Sequence, residues 1–193
     1  MPIALSRRVF LLAACAAPLA RAEDDDAARA WRRLREGGHV ILVRHASTVA
    51  GVGDPPNFKI GDCSTQRNLS EAGREESRRL GARLREERVP IGAVYTSPWC
   101  RCRETAMLAF GRAEDWEPLA SFFDYPHREA ADTESVKKRI AGYSRRPHGP
   151  NVVMVTHNVN VAALTKLSIA QAEMVVVRPD GCCGLKVVGR LRV

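Results

Sequence analysis

Aromatic residues are scarce in this 193-residue chain, at 6 %, and its lysines and arginines fall on segments that also carry glutamate. Nucleic-acid surfaces interleave basic and stacking side chains, so this composition argues against a nucleic-acid partner. No internal repeat and no linker of biased composition divides the sequence, which therefore reads as a single domain. The apolar stretch at residues 9–17 is too short to cross a bilayer as a helix. Cys100 and Cys102 lack a second Cys or His pair at zinc-site spacing, so neither a structural metal nor a cofactor is expected. What the chain does have is positive charge, +8 overall and +5 once Arg7, Arg8 and Arg21 are set aside. That excess suits a small anionic substrate or simply a solvated surface.

Those three arginines belong to an N-terminal segment with its own pattern. Arg7-Arg8, the apolar stretch and Ala20-Arg21-Ala22 have the basic, apolar and small-residue parts of a secretory signal over residues 1–22, with cleavage before Glu23. Ser6-Arg7-Arg8-Val9-Phe10-Leu11 also looks like a twin-arginine export signal, and Leu12-Ala13-Ala14-Cys15 like a lipoprotein processing site that would anchor the product through Cys15. The expectation is a periplasmic or secreted domain over residues 23–193, with no stable membrane insertion. Its cysteines are Cys63, Cys100, Cys102, Cys182 and Cys183. One or two disulfides fit such a compartment, but the spacing does not assign them. Cys182 and Cys183 would point to opposite faces of a strand, which argues against a bond between them.

The order of elements is largely βαβαβα with a β-rich end. A short helix over residues 27–36 stops at Gly37-Gly38 and leads into a strand over 40–43. Residues 48–63, rich in glycine and proline, form a loop long enough to wall or cover a site. Ser70 caps a helix running to about Glu87, with Leu80 and Leu84 as its apolar stripe. A strand over 93–96 and a helix to about Phe110 repeat the unit. Residues 116–127 read as strand or loop, 129–144 as a polar helix, 151–155 as a strand, and 159–166 as a helix capped by Asn158. Residues 174–178 and 185–191 pair as a hairpin around Pro179-Asp180-Gly181. The fold class is α/β: a single three-layer domain with a mostly parallel central sheet and a C-terminal antiparallel hairpin.

Two apolar runs end alike. Val40-Ile41-Leu42-Val43 leads into Arg44-His45, and Val152-Val153-Met154-Val155 into Thr156-His157. Open α/β sheets place ligand sites at the C-terminal ends of their strands, so both histidines point to one pocket. Arg44, and Arg101 after the third strand, add planar donors suited to phosphate oxygens. Arg103, the neighbouring rival to Arg101, is expected to face solvent or a carboxylate.

Val43-Arg44-His45-Ala46, Ser97-Pro98-Trp99-Cys100-Arg101 with Thr105-Ala106, Val155-Thr156-His157-Asn158 and Asn68-Leu69-Ser70-Glu71-Ala72-Gly73 occur in that relation along one chain. Together they resemble the motifs of the histidine phosphatase superfamily, which includes phosphoglycerate mutases and small phosphatases. Alanine and asparagine stand at two positions where glycine is common. The resemblance implies that His45 is the nucleophile that becomes phosphorylated, that Arg44, Arg101 and His157 hold the phosphoryl group, and that Thr48 contacts it. It implies a carboxyl group as general acid. No segment matches the best-known glutamate motif; Asp124 is the first candidate, with Glu129 and Glu134 as alternatives and helix capping as its other role. The expected activity is metal-independent hydrolysis of a small phosphomonoester through phosphohistidine. A phosphohistidine phosphatase and a non-catalytic phosphate-ligand binding protein are the alternatives; mutase activity fits less well, since segments that shape a sugar-phosphate site are missing.

Overall fold

The computed structural model describes residues 17–143, 149–181 and 184–193. Residues 1–16 with Arg7, Arg8 and Cys15, the end of the expected helix at Ser144, and Cys182-Cys183 lie outside the described residues.

Six strands form one sheet in the order β3-β2-β4-β1-β5-β6: β1 is Val40–Arg44, β2 Ile91–Thr96, β3 Glu114–Asp115, β4 Asn151–Thr156, β5 Met174–Asp180 and β6 Gly184–Leu191. β1, β4, β2 and β3 run parallel, while β5 is antiparallel to β1 and to β6. Strand residues bury alternately on two faces. Ile41, Val43, Val153, Val155, Met174 and Val176 share one core with helices α1 (Ala17–Glu36), α2 (Glu71–Glu86) and α3 (Cys100–Phe110). Val40, Leu42, Val152, Met154, Val175 and Val177 share the other with α4 (Glu129–Tyr143) and α5 (Asn158–Thr165). A sheet covered on both sides needs no polar face, which is why β1 and β4 are continuous apolar runs rather than alternating ones.

Several elements differ from expectation. α1 starts ten residues early, at Ala17, and runs through the expected cleavage point; Ala30, Trp31 and Leu34 pack it into the first core. Residues 116–127 hold no strand: β3 precedes them, and two 3-10 turns, Glu117–Leu119 and Pro126–Arg128, carry the chain across the sheet end. The polar α4 nevertheless buries Val136 and Ile140. Asn158 does not cap α5. His157 holds the cap position, and the Asn158 side chain reaches instead to the 168–169 turn, accepting from the Ile169 N–H at 2.9 Å. The cap of α2 is as expected, with Ser70 Oγ accepting from the Gly73 N–H at 3.1 Å. Gly73 is required by packing rather than by the cap: a Cβ there would sit 1.9 Å from the Ser47 carbonyl oxygen, so α2 can approach the segment after β1 only without a side chain. Among the described residues no helix is long and apolar enough to cross a membrane.

Candidate active site

The parallel register of β1 and β4 pairs Arg44 with Thr156, so the next residues, His45 and His157, leave the sheet side by side. Their ring centroids are 5.4 Å apart in an edge-to-face arrangement, and both rings are buried. His45 Nδ1 lies 2.9 Å from its neighbour's carbonyl oxygen, on Ala46. A carbonyl only accepts, so Nδ1 carries the proton and Nε2 keeps its lone pair. Ser97 Oγ and Cys102 Sγ approach His157 Nε2 at 2.9 and 3.5 Å. With the Ser97 hydroxyl donating, Nδ1 becomes the donor of that ring.

Among the described residues neither histidine has a carboxylate partner. Burial, then the neighbouring Arg101 and Arg44, push His45 down to about 3 from the ordinary 6.5. Burial and Arg101 hold His157 well below the usual histidine range too. The imidazoles are therefore neutral at physiological pH, as an attacking nitrogen must be.

A cavity of about 600 Å³ opens over this pair, lined also by Arg44, Arg67, Arg101, Asp54, Ser121 and Asp124. Arg44 Nη1 donates to the Ile169 carbonyl at 2.7 Å, and Arg101 Nη1 to both Asp54 carboxylate oxygens at 3.1 Å while its guanidinium stacks 4.3 Å over Trp99. The Nε groups of Arg44, Arg67 and Arg101 are buried without a hydrogen-bond partner among the described residues. A buried donor left unpaired costs about 1–3 kcal/mol, more for a charged group. Three guanidiniums lining one cavity form a donor set suited to an anion with several oxygens.

Other contacts fix this geometry. Thr105 Oγ1 accepts from the Ala46 N–H at 3.1 Å and donates to the Arg101 carbonyl at 2.7 Å, tying α3 to the residue after His45. A disulfide joins Cys63 to Cys100, fastening the far end of the 48–63 loop to the first residue of α3, next to Arg101. Cys102 remains a buried free thiol, pushed up to about 12 by burial. Asn160 Nδ2 donates to the Ala120 carbonyl at 2.9 Å and Thr156 Oγ1 to that of Leu119 at 2.7 Å, holding the segment that leads to Asp124.

Of the residues singled out from sequence, the structure brings Arg44, His45, Arg101, Asp124 and His157 to one cavity. It does not bring Thr48 there. Thr48 forms an antiparallel bridge with Leu69 that closes the loop, and is not among the cavity residues. Glu129 opens α4 and Glu134 pairs with Lys138 at 3.8 Å; neither lines the cavity. Arg103 pairs with Asp115 at 3.3 Å on the surface, facing a carboxylate as expected. Sequence reasoning missed Asp54 and Arg67. Arg67 directly precedes the Asn68-Leu69-Ser70 motif, but among 30 lysines and arginines nothing marks it. Asp54 sits in a loop whose path the sequence does not encode. Among the described residues no group of three or more His, Cys, Asp or Glu is arranged to hold a metal ion.

Residues 40–122, spanning β1 to the segment before Asp124, match the histidine phosphatase superfamily, branch 1. No curated protein matches the sequence. The fold is similar to that of the protein histidine phosphatase SixA complexed with tungstate, with a TM-score of 0.58 and 18 % identity over 80 % of this chain and 96 % of that one. It is also similar to a phosphoserine phosphatase mutant from Entamoeba histolytica in complex with phosphoserine (TM-score 0.51, 11 % identity, 79 % and 95 % covered). A third likeness is to the product of the open reading frame Rv3214 from Mycobacterium tuberculosis (TM-score 0.53, 16 % identity, 77 % and 94 % covered). The chain therefore has the histidine phosphatase, or phosphoglycerate mutase-like, superfamily fold.

Proposed function

We propose that this protein is a phosphatase of that superfamily, hydrolysing a small phosphomonoester through a phosphohistidine at His45 and without a metal ion. The observation that carries the reading is a fixed, neutral imidazole in one cavity with three guanidiniums, those of Arg44, Arg67 and Arg101. Arg44, Arg67, Arg101 and His157 bind the phosphoryl oxygens and stabilise their charge as it redistributes. His45 Nε2 forms a bond to phosphorus while the bond to the ester oxygen breaks, and that oxygen takes a proton from Asp124. Water then attacks phosphorus, giving its proton to Asp124, and the nitrogen–phosphorus bond breaks to restore neutral His45. Asp54 has the opposite character: it accepts from Arg101 Nη1 and from the Arg67 N–H, and so orients the arginines rather than delivering a proton.

Export through residues 1–22 belongs to the same proposal. The Cys63–Cys100 disulfide supports it, since such bonds persist in oxidising compartments. A phosphohistidine substrate is the second reading, favoured by the exposure of Asp124, because an imidazole leaving group needs less help from an acid than an alkoxide does. The test is turnover of a phosphate-ester panel by the mature protein in EDTA, beside His45→Ala. The expected result is activity in EDTA that the substitution abolishes; activity retained by His45→Ala, or lost to EDTA, contradicts the mechanism.

A further inference from the structure

The phosphate-binding floor accounts for only part of the cavity. Its mouth has a different chemistry, formed by Pro55, Pro56 and Phe58 from the 48–63 loop, Phe123 and Tyr125 from the segment after Ser121, and Val159 from the first turn of α5. Phe123 is 75 % exposed and Tyr125 42 %, whereas His45, Arg101 and His157 below them are at 3–4 %. In a chain with few aromatics, the two exposed aromatic side chains among the described residues both stand at this opening. The proline-rich part of the same lining is fixed in place: the disulfide holds its end, and Phe58 stacks on buried Trp99 with centroids 4.6 Å apart.

The charges divide in the same way. All three arginines that line the cavity belong to the phosphoryl site, and Arg101 already shares its charge with Asp54. Among the described residues no lysine and no further arginine lines the cavity, and Asp124 lies at the mouth between Phe123 and Tyr125. A substrate with a second anionic group, such as a carboxylate or another phosphate, would find no further cation at the mouth to receive it. A flat apolar group, by contrast, would cover the Phe123 ring and gain aromatic contact and buried area.

Building on the proposed phosphatase activity, we infer that the substrate is a phosphomonoester whose alcohol carries an aromatic, uncharged body, held between the Phe123–Tyr125 side and the Pro55–Phe58 wall. Phe123 and Tyr125 are then residues that set specificity. Benzyl phosphate, ethyl phosphate and 3-phosphoglycerate test it, because all three release a primary alkyl oxygen and differ mainly in what that oxygen carries. The expected order of kcat/KM is benzyl phosphate first, about tenfold above ethyl phosphate, as roughly 1.4 kcal/mol of aromatic contact would give, with 3-phosphoglycerate last. In Phe123→Ala and Tyr125→Ala the benzyl-to-ethyl ratio falls towards one. A wild-type ratio of one, preference for 3-phosphoglycerate, or a ratio that neither substitution changes overturns the inference. Calorimetric binding of the same esters to His45→Ala separates the two claims. Benzyl selectivity in binding, without turnover by the wild type, overturns the phosphatase reading and leaves the substrate class standing; turnover without selectivity overturns the class.

Discussion

His45 shows how much one hydrogen bond and one environment decide. The Ala46 carbonyl fixes which nitrogen carries the proton, and burial among arginines removes the charge a free histidine would take up in mild acid. That neutrality has a consequence for stability. In the unfolded chain the side chain titrates near 6.5, and in the folded chain near 3. Between those values the unfolded state binds more protons, so the full stability is present above pH 6.5 and is lost as pH falls towards 3. From pH 6.5 to pH 5 the loss from His45 alone is about 2 kcal/mol, and His157 acts in the same direction. Denaturant unfolding of wild type and His45→Asn at pH 7 and pH 5 checks this. The variant is expected to lose less stability on acidification than the wild type; an equal loss in both contradicts a buried neutral His45. At this scale the sequence revealed the residues that belong to motifs, namely Arg44, His45, Arg101 and His157. It hid Asp54 and Arg67, whose places in the cavity depend on where a loop travels, and it did not show that Thr48 pairs with Leu69 and is not part of the cavity lining.

Among the elements, every strand but the two-residue β3 was legible, most clearly where burial on both faces leaves the apolar runs 40–43, 152–155 and 174–177. Helix α2 was legible through its Ser70 cap and the Leu80–Leu84 stripe. The start of α5 was misread because asparagine is a good cap residue, yet here its side chain is used on the 168–169 turn. The 48–63 loop showed only its length and composition. Its anchoring to α3 requires knowing that Cys63 and Cys100, 37 residues apart, meet in space, which an odd set of cysteines cannot tell. Closing a loop of that size constrains the unfolded chain by roughly 3–4 kcal/mol in the chain-entropy account. Cys63→Ser/Cys100→Ser is therefore expected to lower the unfolding free energy by roughly 2–4 kcal/mol, and reduction of the wild type by dithiothreitol to reproduce the loss. Denaturant midpoints unchanged by both treatments contradict a disulfide that secures this wall.

The whole molecule brings four distant segments to one end of a sheet. The register of β1 with β4 sets the two histidines together, β2 and α3 deliver Arg101, and the irregular segment carrying Arg67 leads into the Ser70-capped start of α2. Because ligand sites in open α/β sheets form at strand C-termini, the order of apolar runs and histidines was enough to locate the pocket, though not to say what its rim contains. The central claim is covalent: phosphorus passes through His45. Rapid-quench of the wild type with a ³²P-labelled phosphomonoester, followed by peptide mapping at alkaline pH, tests it most directly. The account predicts label on the peptide containing His45, stable to base, released by acid, and missing from His45→Ala. Turnover with no labelled enzyme, or label that persists in His45→Ala, would contradict it.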